Sequence, residues 1–340
     1  MRKILGLIFV AVLALAGWFA WALLTPVEPP GKTFVMLRSG YSTHRIAAEL
    51  KSAGVIRSEK AFILWHYFHR HRSLKAGEYL FEKPANIIDL QKRLRRGDVY
   101  FRTVVVPEGF TMFDIARAVE AAGLGPADDF LKVAQSDTAL IADLAPDAPS
   151  LEGYLFPDTY EFSRMQTMHE IAATMVRQFR QVANQIGLID VAHGGGFAVS
   201  HIPLPIETTV IMASIIEKET AVAEERPLVA SVYYNRLAKK IALDADPSII
   251  YAELLAGTYT GALHHDDMRF NSPYNTYTHT GLPPGPIGNP GKSALEAAMN
   301  PAQSDYYYFV ADAAGHHRFA RTMEEHDKNV AAYRRAMRGK

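Results

Sequence analysis

A chain of 340 residues, 49% of them hydrophobic, carries enough apolar material for two or three folded units. Its 36 Lys and Arg balance 36 Asp and Glu, which argues against a polyanionic partner, so no nucleic acid is expected. The lack of cysteine removes disulfide frameworks, thiolate metal sites and cysteine nucleophiles, and is compatible with an exported chain.

Arg2 and Lys3 precede an uninterrupted apolar run from Ile4 to Leu24, long enough to cross a bilayer as a helix. With the basic residues ahead of the run and none close behind it, the positive-inside rule keeps the amino terminus in the cytoplasm and exports the rest. Ala14-Leu15-Ala16 offers the competing reading of a cleaved signal peptide, against which Trp18 to Trp21 continue the apolar run. Residues 1–25 are thus read as cytoplasmic start and single-pass anchor, and 26–33, rich in proline, as an extended linker.

Val35 to Gly40 reads as a strand and glycine turn, followed by a helix over Ser42 to Ala53 that stops at Gly54. The same grammar returns in Val104 to Gly109, Thr111 to Ala122 and Gly123, 69 positions on (109 minus 40, 123 minus 54), which points to a duplicated module. After the first copy, Glu59 to His71 reads as a second helix and Leu74 to Phe81 as a returning strand. This strand, helix, helix, strand order, its opening Gly40-Tyr41-Ser42 and its closing Leu74-Lys75-Ala76-Gly77 resemble the LysM fold, which implies recognition of glycans containing N-acetylglucosamine.

Leu151 to Tyr160 is dense in aromatics, and Pro157 confines it to a turn or edge strand. Met168 to Ile186 has the spacing of an amphipathic helix, and His193-Gly194-Gly195-Gly196 reads as a loop, since no Gly-x-Ser-x-Gly elbow accompanies it. Next comes an almost wholly apolar helical run that ends in Glu217-Lys218-Glu219-Thr220. On a helical wheel over Val210 to Val222, Glu219 falls among Ile211, Met212, Ile215 and Val222, whereas Glu217 falls on the opposite side with Ser214, Lys218 and Ala221. Residues two apart on a helix do not face one cleft, so one of the two is the expected acid, and the wheel favours Glu219 over Glu217. Apolar surroundings raise a carboxyl pKa and make it a proton donor near neutral pH.

Pro227 to Lys239 reads as a further helix, Leu243 to Ser248 as a turn with Asp246 as a helix cap, and Ile249 to Leu255 as a short helix. Asn275 to Thr278 and Gly281 to Ile287 are too rich in Pro and Gly for regular structure, and a long loop of this kind usually lines a site. His264-His265-Asp266-Asp267, His316-His317 and His66 with His69 lack the spacing of a metal-binding motif, so neither metal nor cofactor is expected.

Glu217-Lys218-Glu219-Thr220, Ser231 to Leu237, Leu243 with Asp246-Pro247, Tyr274 to Tyr277, Gly281 to Ile287 and Tyr308 to Ala311 together resemble the signature of the endolytic murein transglycosylase (MltG or YceG-like) family. The resemblance implies an α+β chain: a LysM-like module at 34–102 and a catalytic domain at 103–340, whose first residues, to about 125, hold the second repeat. It implies an enzyme of the cell inner membrane, with its catalytic domain in the periplasm, that cuts nascent peptidoglycan glycan strands and leaves 1,6-anhydro-N-acetylmuramic acid ends. Penicillin-binding proteins of the elongation machinery are the implied partners. The glutamate helix is similar to that of goose-type lysozymes and soluble lytic transglycosylases, which assigns the acid to Glu219 and leaves Glu217 as the alternative. Asn275, Thr276 and Tyr277 are the implied substrate-binding residues. A different class stays open: a non-catalytic, membrane-anchored glycan-binding module in which Glu219 is dispensable.

Overall fold

The computed structural model describes residues 2–69, 73–189 and 205–338; the predicted His193-Gly194-Gly195-Gly196 loop lies outside them. The fold is mixed α and β, in two compact units: Met1–Thr103 with Glu161–Gln166, and Val104–Tyr160 with Thr167–Lys340.

The first unit opens with α1 (Arg2–Leu24), 23 residues, long and apolar enough to cross a membrane. Its side chains are exposed except near the end, where Ala22 and Leu23 join the core of the unit. Beyond it, β1 (Thr33–Leu37), α2 (Thr43–Ser52), α3 (Glu59–Phe68) and β2 (Gly77–Phe81) form the expected strand, helix, helix, strand unit, with β1 antiparallel to β2 from Thr33 opposite Phe81 to Leu37 opposite Gly77. Alternate strand residues Val35, Leu37, Tyr79 and Phe81 are buried in one core with Leu50, Phe62 and Leu90. Helix α4 (Ile87–Arg96), which the sequence reading passed over, completes this core with Ile87, Leu90 and Leu94. The Asn86 side chain caps its start and Gly97, left-handed at φ 79°, ends it. The end of α3 also moves: the helix stops at Phe68 rather than His71.

The second copy keeps the local grammar. Strand β3 (Arg102–Val105) and helix α5 (Met112–Ala121) have bounds 69 positions beyond those of β1 and α2 at their starts (102 minus 33, 112 minus 43). Both helices have hydroxyl caps, Ser42 and Thr111, and both turns need a glycine at positive φ, 82° at Gly40 and 77° at Gly109. A further helix, α6 (Ala127–Ser136), also passed over, leads by way of a buried turn at Leu151–Leu155 to β4 (Thr159–Phe162), which pairs with β3.

The rest of the second unit packs around α8 (Ile206–Glu219), which follows α7 (Met168–Gln185). Helices α9 (Arg226–Ala238), α10 (Asp246–Ala256) and α11 (Lys292–Met299) contact it. A hairpin of β5 (Tyr308–Ala311) and β6 (His317–Ala320) packs on α12 (Met323–Arg338). Every residue of α8 from Thr209 to Ile216 is buried, so the helix is apolar all round rather than amphipathic. It also ends at Glu219, with Thr220 already extended at φ −139°, so Ala221 and Val222 lie beyond it and take no part in its faces. The wheel is corrected accordingly, because burial on all sides leaves the helix end, not a face, to meet solvent.

Candidate functional site

The end of α8 delivers two carboxylates into different surroundings. Glu217 accepts a hydrogen bond of 2.6 Å from Arg226 and one of 2.9 Å from the Gly291 N–H, and its side chain is 5% exposed against 6% for Arg226. Burial pushes its carboxyl up, while the Gly291 N–H, Arg226 and Lys218 pull it down and Glu108 adds to the rise. At Gly291 a Cβ would stand 1.9 Å from Glu108 Oε1, so any larger residue would require the half-exposed Glu108 side chain to move. Loop and helix are further joined by the Ile287 N–H, which donates to Ser214 Oγ at 3.0 Å.

Glu219 faces a cavity of about 420 Å³. Burial pushes its carboxyl up to about 7; the Tyr233 hydroxyl, hydrogen-bonded to it, opposes the rise and the Asp246 carboxylate adds to it. Its place on the last residue of a helix acts in the same direction, because the negative end of the helix dipole disfavours an anion. The side chain is half-buried, screened by protein yet open to the cavity. A carboxyl with a pKa near neutral, on the wall of an accessible cavity, is equipped as a general acid.

Asp246 and Tyr277 also line the cavity, and the Tyr277 hydroxyl donates to Asp246 Oδ1 at 2.5 Å. The capping role read for Asp246 is corrected. It is the first residue of α10, Ala245 occupies the cap position without a side-chain bond, and Pro247 sits in the first turn, where its missing N–H costs nothing. Its carboxylate instead lines the cavity, bonded to Tyr277.

Of the three loop residues expected to bind substrate, the fold brings only Tyr277 to the cavity. Asn275 is fully buried; its Nδ2 donates to the carbonyls of Met268 and Phe270 and its Oδ1 accepts from the Tyr277 N–H at 2.9 Å. Thr276 is also buried, its hydroxyl accepting from the Ala245 N–H at 2.9 Å and meeting Ser248 Oγ at 2.9 Å. These two bonds tie the loop to the start of α10 and so hold Tyr277 against Asp246.

The remaining wall comes from residues to which the sequence reading gave no role. Tyr233 and Arg236 lie on α9, Tyr308 on β5 and His326 on α12. Arg236 is ion-paired with Asp244, donates to the carbonyls of Ala242 and Tyr307, and lies over the Tyr308 ring at 5.5 Å. Asp244 adopts positive φ, 51°, a conformation uncommon outside glycine. Tyr233 and Arg236 were signalled by their one-turn spacing on a helix next in sequence to α8. His326, about a hundred residues from Glu219, carried no local signal.

Asn289, just past the Pro- and Gly-rich loop, was likewise passed over. Its Oδ1 accepts from the N–H groups of Gly153 and Leu155, both at 2.9 Å, and its Nδ2 donates to Phe110 O and Glu152 Oε1. Burial pushes the Glu152 carboxyl up to about 8, against the opposing Met112 N–H and Tyr251 hydroxyl.

The model of the YceG-like family matches residues 35–332. The chain is 33% identical to the endolytic murein transglycosylase of Bacillus subtilis over 92% of its own length and 88% of that protein. It is 29% identical to the endolytic murein transglycosylase of Streptococcus pneumoniae, covering 96% of this chain and 64%, just under two thirds, of that one. The crystal structure of a YceG-like protein from Listeria monocytogenes superposes with a TM-score of 0.58 at 32% identity, over 87% of this chain and 98% of the other. With the match running from β1 to within α12 and so spanning both copies of the module, the glutamate helix and the cavity, the chain belongs to the YceG-like family.

Proposed function

We propose that this chain is a lytic transglycosylase of peptidoglycan, held to the cell inner membrane by α1 with the remainder in the periplasm. The observation that carries the reading is Glu219, whose carboxyl is pushed up to about 7 on the wall of an aromatic-lined cavity. In this reading the protonated carboxyl donates to the oxygen of the MurNAc-GlcNAc β-1,4 bond as that bond to C1 breaks. The resulting carboxylate then accepts the proton of the muramic acid 6-hydroxyl while its oxygen closes onto C1, giving a 1,6-anhydro end and restoring the acid. No water is activated, so the catalytic base of a hydrolase is not required. Asp246, on the same cavity wall as Glu219, supplies a carboxylate that would oppose the positive charge developing at C1. Tyr277 fixes that carboxylate and offers a ring face to a sugar; Asn275 and Thr276 act by positioning it.

The strand, helix, helix, strand unit of residues 33–81 is proposed as a LysM-like module that holds the glycan near the membrane. Association with penicillin-binding proteins belongs to the same reading and rests on the sequence resemblance alone; co-purification from solubilised membranes checks it.

The deciding experiment is mass spectrometry of peptidoglycan strands incubated with the full chain in detergent or liposomes, wild type beside Glu219→Gln and Glu217→Gln. Ends one water lighter than reducing termini, lost only with Glu219→Gln, are the expected result. Reducing ends would mean a hydrolase, loss only with Glu217→Gln would move the acid, and glycan binding without cleavage would leave an anchor.

A further inference from the structure

The charge balance of the whole chain conceals an asymmetry. Residues 26–103, which follow the anchor, hold 15 Lys and Arg against 7 Asp and Glu, a net charge of +8, whereas residues 104–340 hold 19 against 29, a net −10. Positive charge concentrated next to a membrane anchor is a pattern that acidic lipid headgroups attract.

The structure ties that basic part to the end of α1 without slack. The apolar run Ile4 to Leu24 measures about 31 Å as a helix, no more than the hydrocarbon core of a bilayer needs. Its last turn already belongs to the folded unit: Ala22 and Leu23 are buried in the core and Phe19 packs against it. The chain beyond is laid on the same unit, where Val27 pairs with Ala85 and the Pro26 carbonyl accepts from Arg57 at 3.1 Å. When α1 crosses a bilayer, residues 26–103 are therefore set against its headgroups.

Arg57 also lies over the Trp21 ring at 5.0 Å, and Trp18 and Trp21 are exposed, as the side chains of an interfacial aromatic belt are. Helix α3 starts two residues after Arg57 and packs against α1. On α3, Leu64, Tyr67 and Phe68 are 42%, 56% and 63% exposed, and with Lys60 they share one side of the helix at i, i+4, i+7 and i+8. An exposed apolar stripe with a basic residue at its end is the make-up of a helix that lies in a membrane interface.

We infer that residues 26–103 dock on the acidic lipid headgroups of the bilayer that α1 crosses. Leu64, Tyr67 and Phe68 of α3 dip into the interface, and the net positive charge of this part is held on the lipid phosphates. The inference rests on the reading of α1 as an anchor and is independent of the cleavage chemistry. It makes this part a lipid-bound base rather than a module swinging on a flexible stalk.

The chain has no cysteine, so a single cysteine carrying a nitroxide reports on one chosen position of the full chain in vesicles. Labels at Tyr67→Cys and Phe68→Cys are compared with one at Lys132→Cys, an exposed position of the second unit, and one at Leu13→Cys in α1. In phosphatidylcholine vesicles with about one quarter phosphatidylglycerol, collision with an aqueous nickel chelate is expected to be about threefold lower at 67 and 68 than at 132. That protection should weaken in pure phosphatidylcholine, in about 1 M salt and in Lys60→Glu. Labels at 67 and 68 as open to the chelate as that at 132, with the one at 13 protected, would overturn the inference and leave the anchor. So would protection indifferent to lipid charge and salt, or protection that requires added peptidoglycan strands, which would mark a glycan-facing surface. A label at 13 open to the chelate would remove the anchor and the inference with it. Strand cleavage, measured separately, tests the transglycosylase reading.

Discussion

Glu217 and Glu219 sit two residues apart at one helix end, and burial raises the carboxyl pKa of each. Around Glu217, polar groups meet within the protein: Arg226 and the Gly291 N–H take up the carboxylate, and Asn289 nearby satisfies four groups with one side chain. Around Glu219, a carboxyl, a second carboxylate, tyrosines and an imidazole share a cavity of about 420 Å³. The first arrangement is how a protein makes buried polarity tolerable; the second gathers polar and titratable groups on the wall of a cavity that another molecule can enter. A raised pKa alone does not separate the two roles, and each carboxyl has an internal partner; what separates them is that Glu219 lines a cavity and Glu217 does not.

The largest expected break in that comparison is Glu219→Gln, which removes the acid and should lower kcat for strand cleavage at least 10³-fold, within the range of about 10² to 10⁴ for general acids. Stability should move the other way. The folded-state pKa of about 7 lies above the ordinary 4.5, so the contribution of Glu219 to stability is fully present below about pH 4.5 and lost as pH rises through 7. Chemical denaturation above pH 7 should therefore find Glu219→Gln more stable than wild type, by on the order of 3 kcal/mol. The wild-type kcat, followed against pH, should decline about tenfold per unit above pH 7 as the acid ionises.

Asn289→Ala probes the saturated side. It strands the buried Gly153 and Leu155 N–H groups and removes a donor from Glu152, for an expected loss of about 3–5 kcal/mol in unfolding free energy. Glu217→Gln leaves the buried Arg226 without its charge partner, tempered by Glu108 at 3.6 Å, and should cost about 2–3 kcal/mol while the kcat of the folded fraction stays near wild type. A kcat loss as large as that of Glu219→Gln would erase the distinction between the two sides. The smallest change in pH dependence is expected from Asp246→Asn, beside the loss in kcat that removing the charge near C1 entails. Its carboxylate adds to the rise in Glu219, so the descending limb of the kcat profile should shift to lower pH by a fraction of a unit.

Much of the scaffold was legible because it is written in local chemistry. The Ser42 and Thr111 caps, the glycine turns at 40 and 109 and the helices that follow them can be read within a dozen residues. The helix α4, with its Asn86 cap and terminal Gly97, carried the same signals and could have been found. The two copies nevertheless serve different ends. A Cβ on Gly40 would meet open space, whereas one on Gly109 would lie 3.5 Å from Glu217, and the Gly109 N–H donates to Asn289 O at 2.8 Å. Nothing within either copy announces this, since the partners lie about a hundred residues or more beyond the turn.

By itself, the sequence determined the apolar amino-terminal helix, the repeated turn and helix grammar, and an acid set in apolar surroundings, because hydrophobic periodicity, caps and glycine turns act over neighbouring residues. Only the tertiary structure decided that Tyr277, rather than Asn275 or Thr276, faces Glu219, that Asp246 opens onto the cavity, and that His326 closes its wall. A loop without a periodic backbone gives no rule for which side chain points inward. That choice falls to long-range hydrogen bonds and packing, which become visible only once distant segments meet.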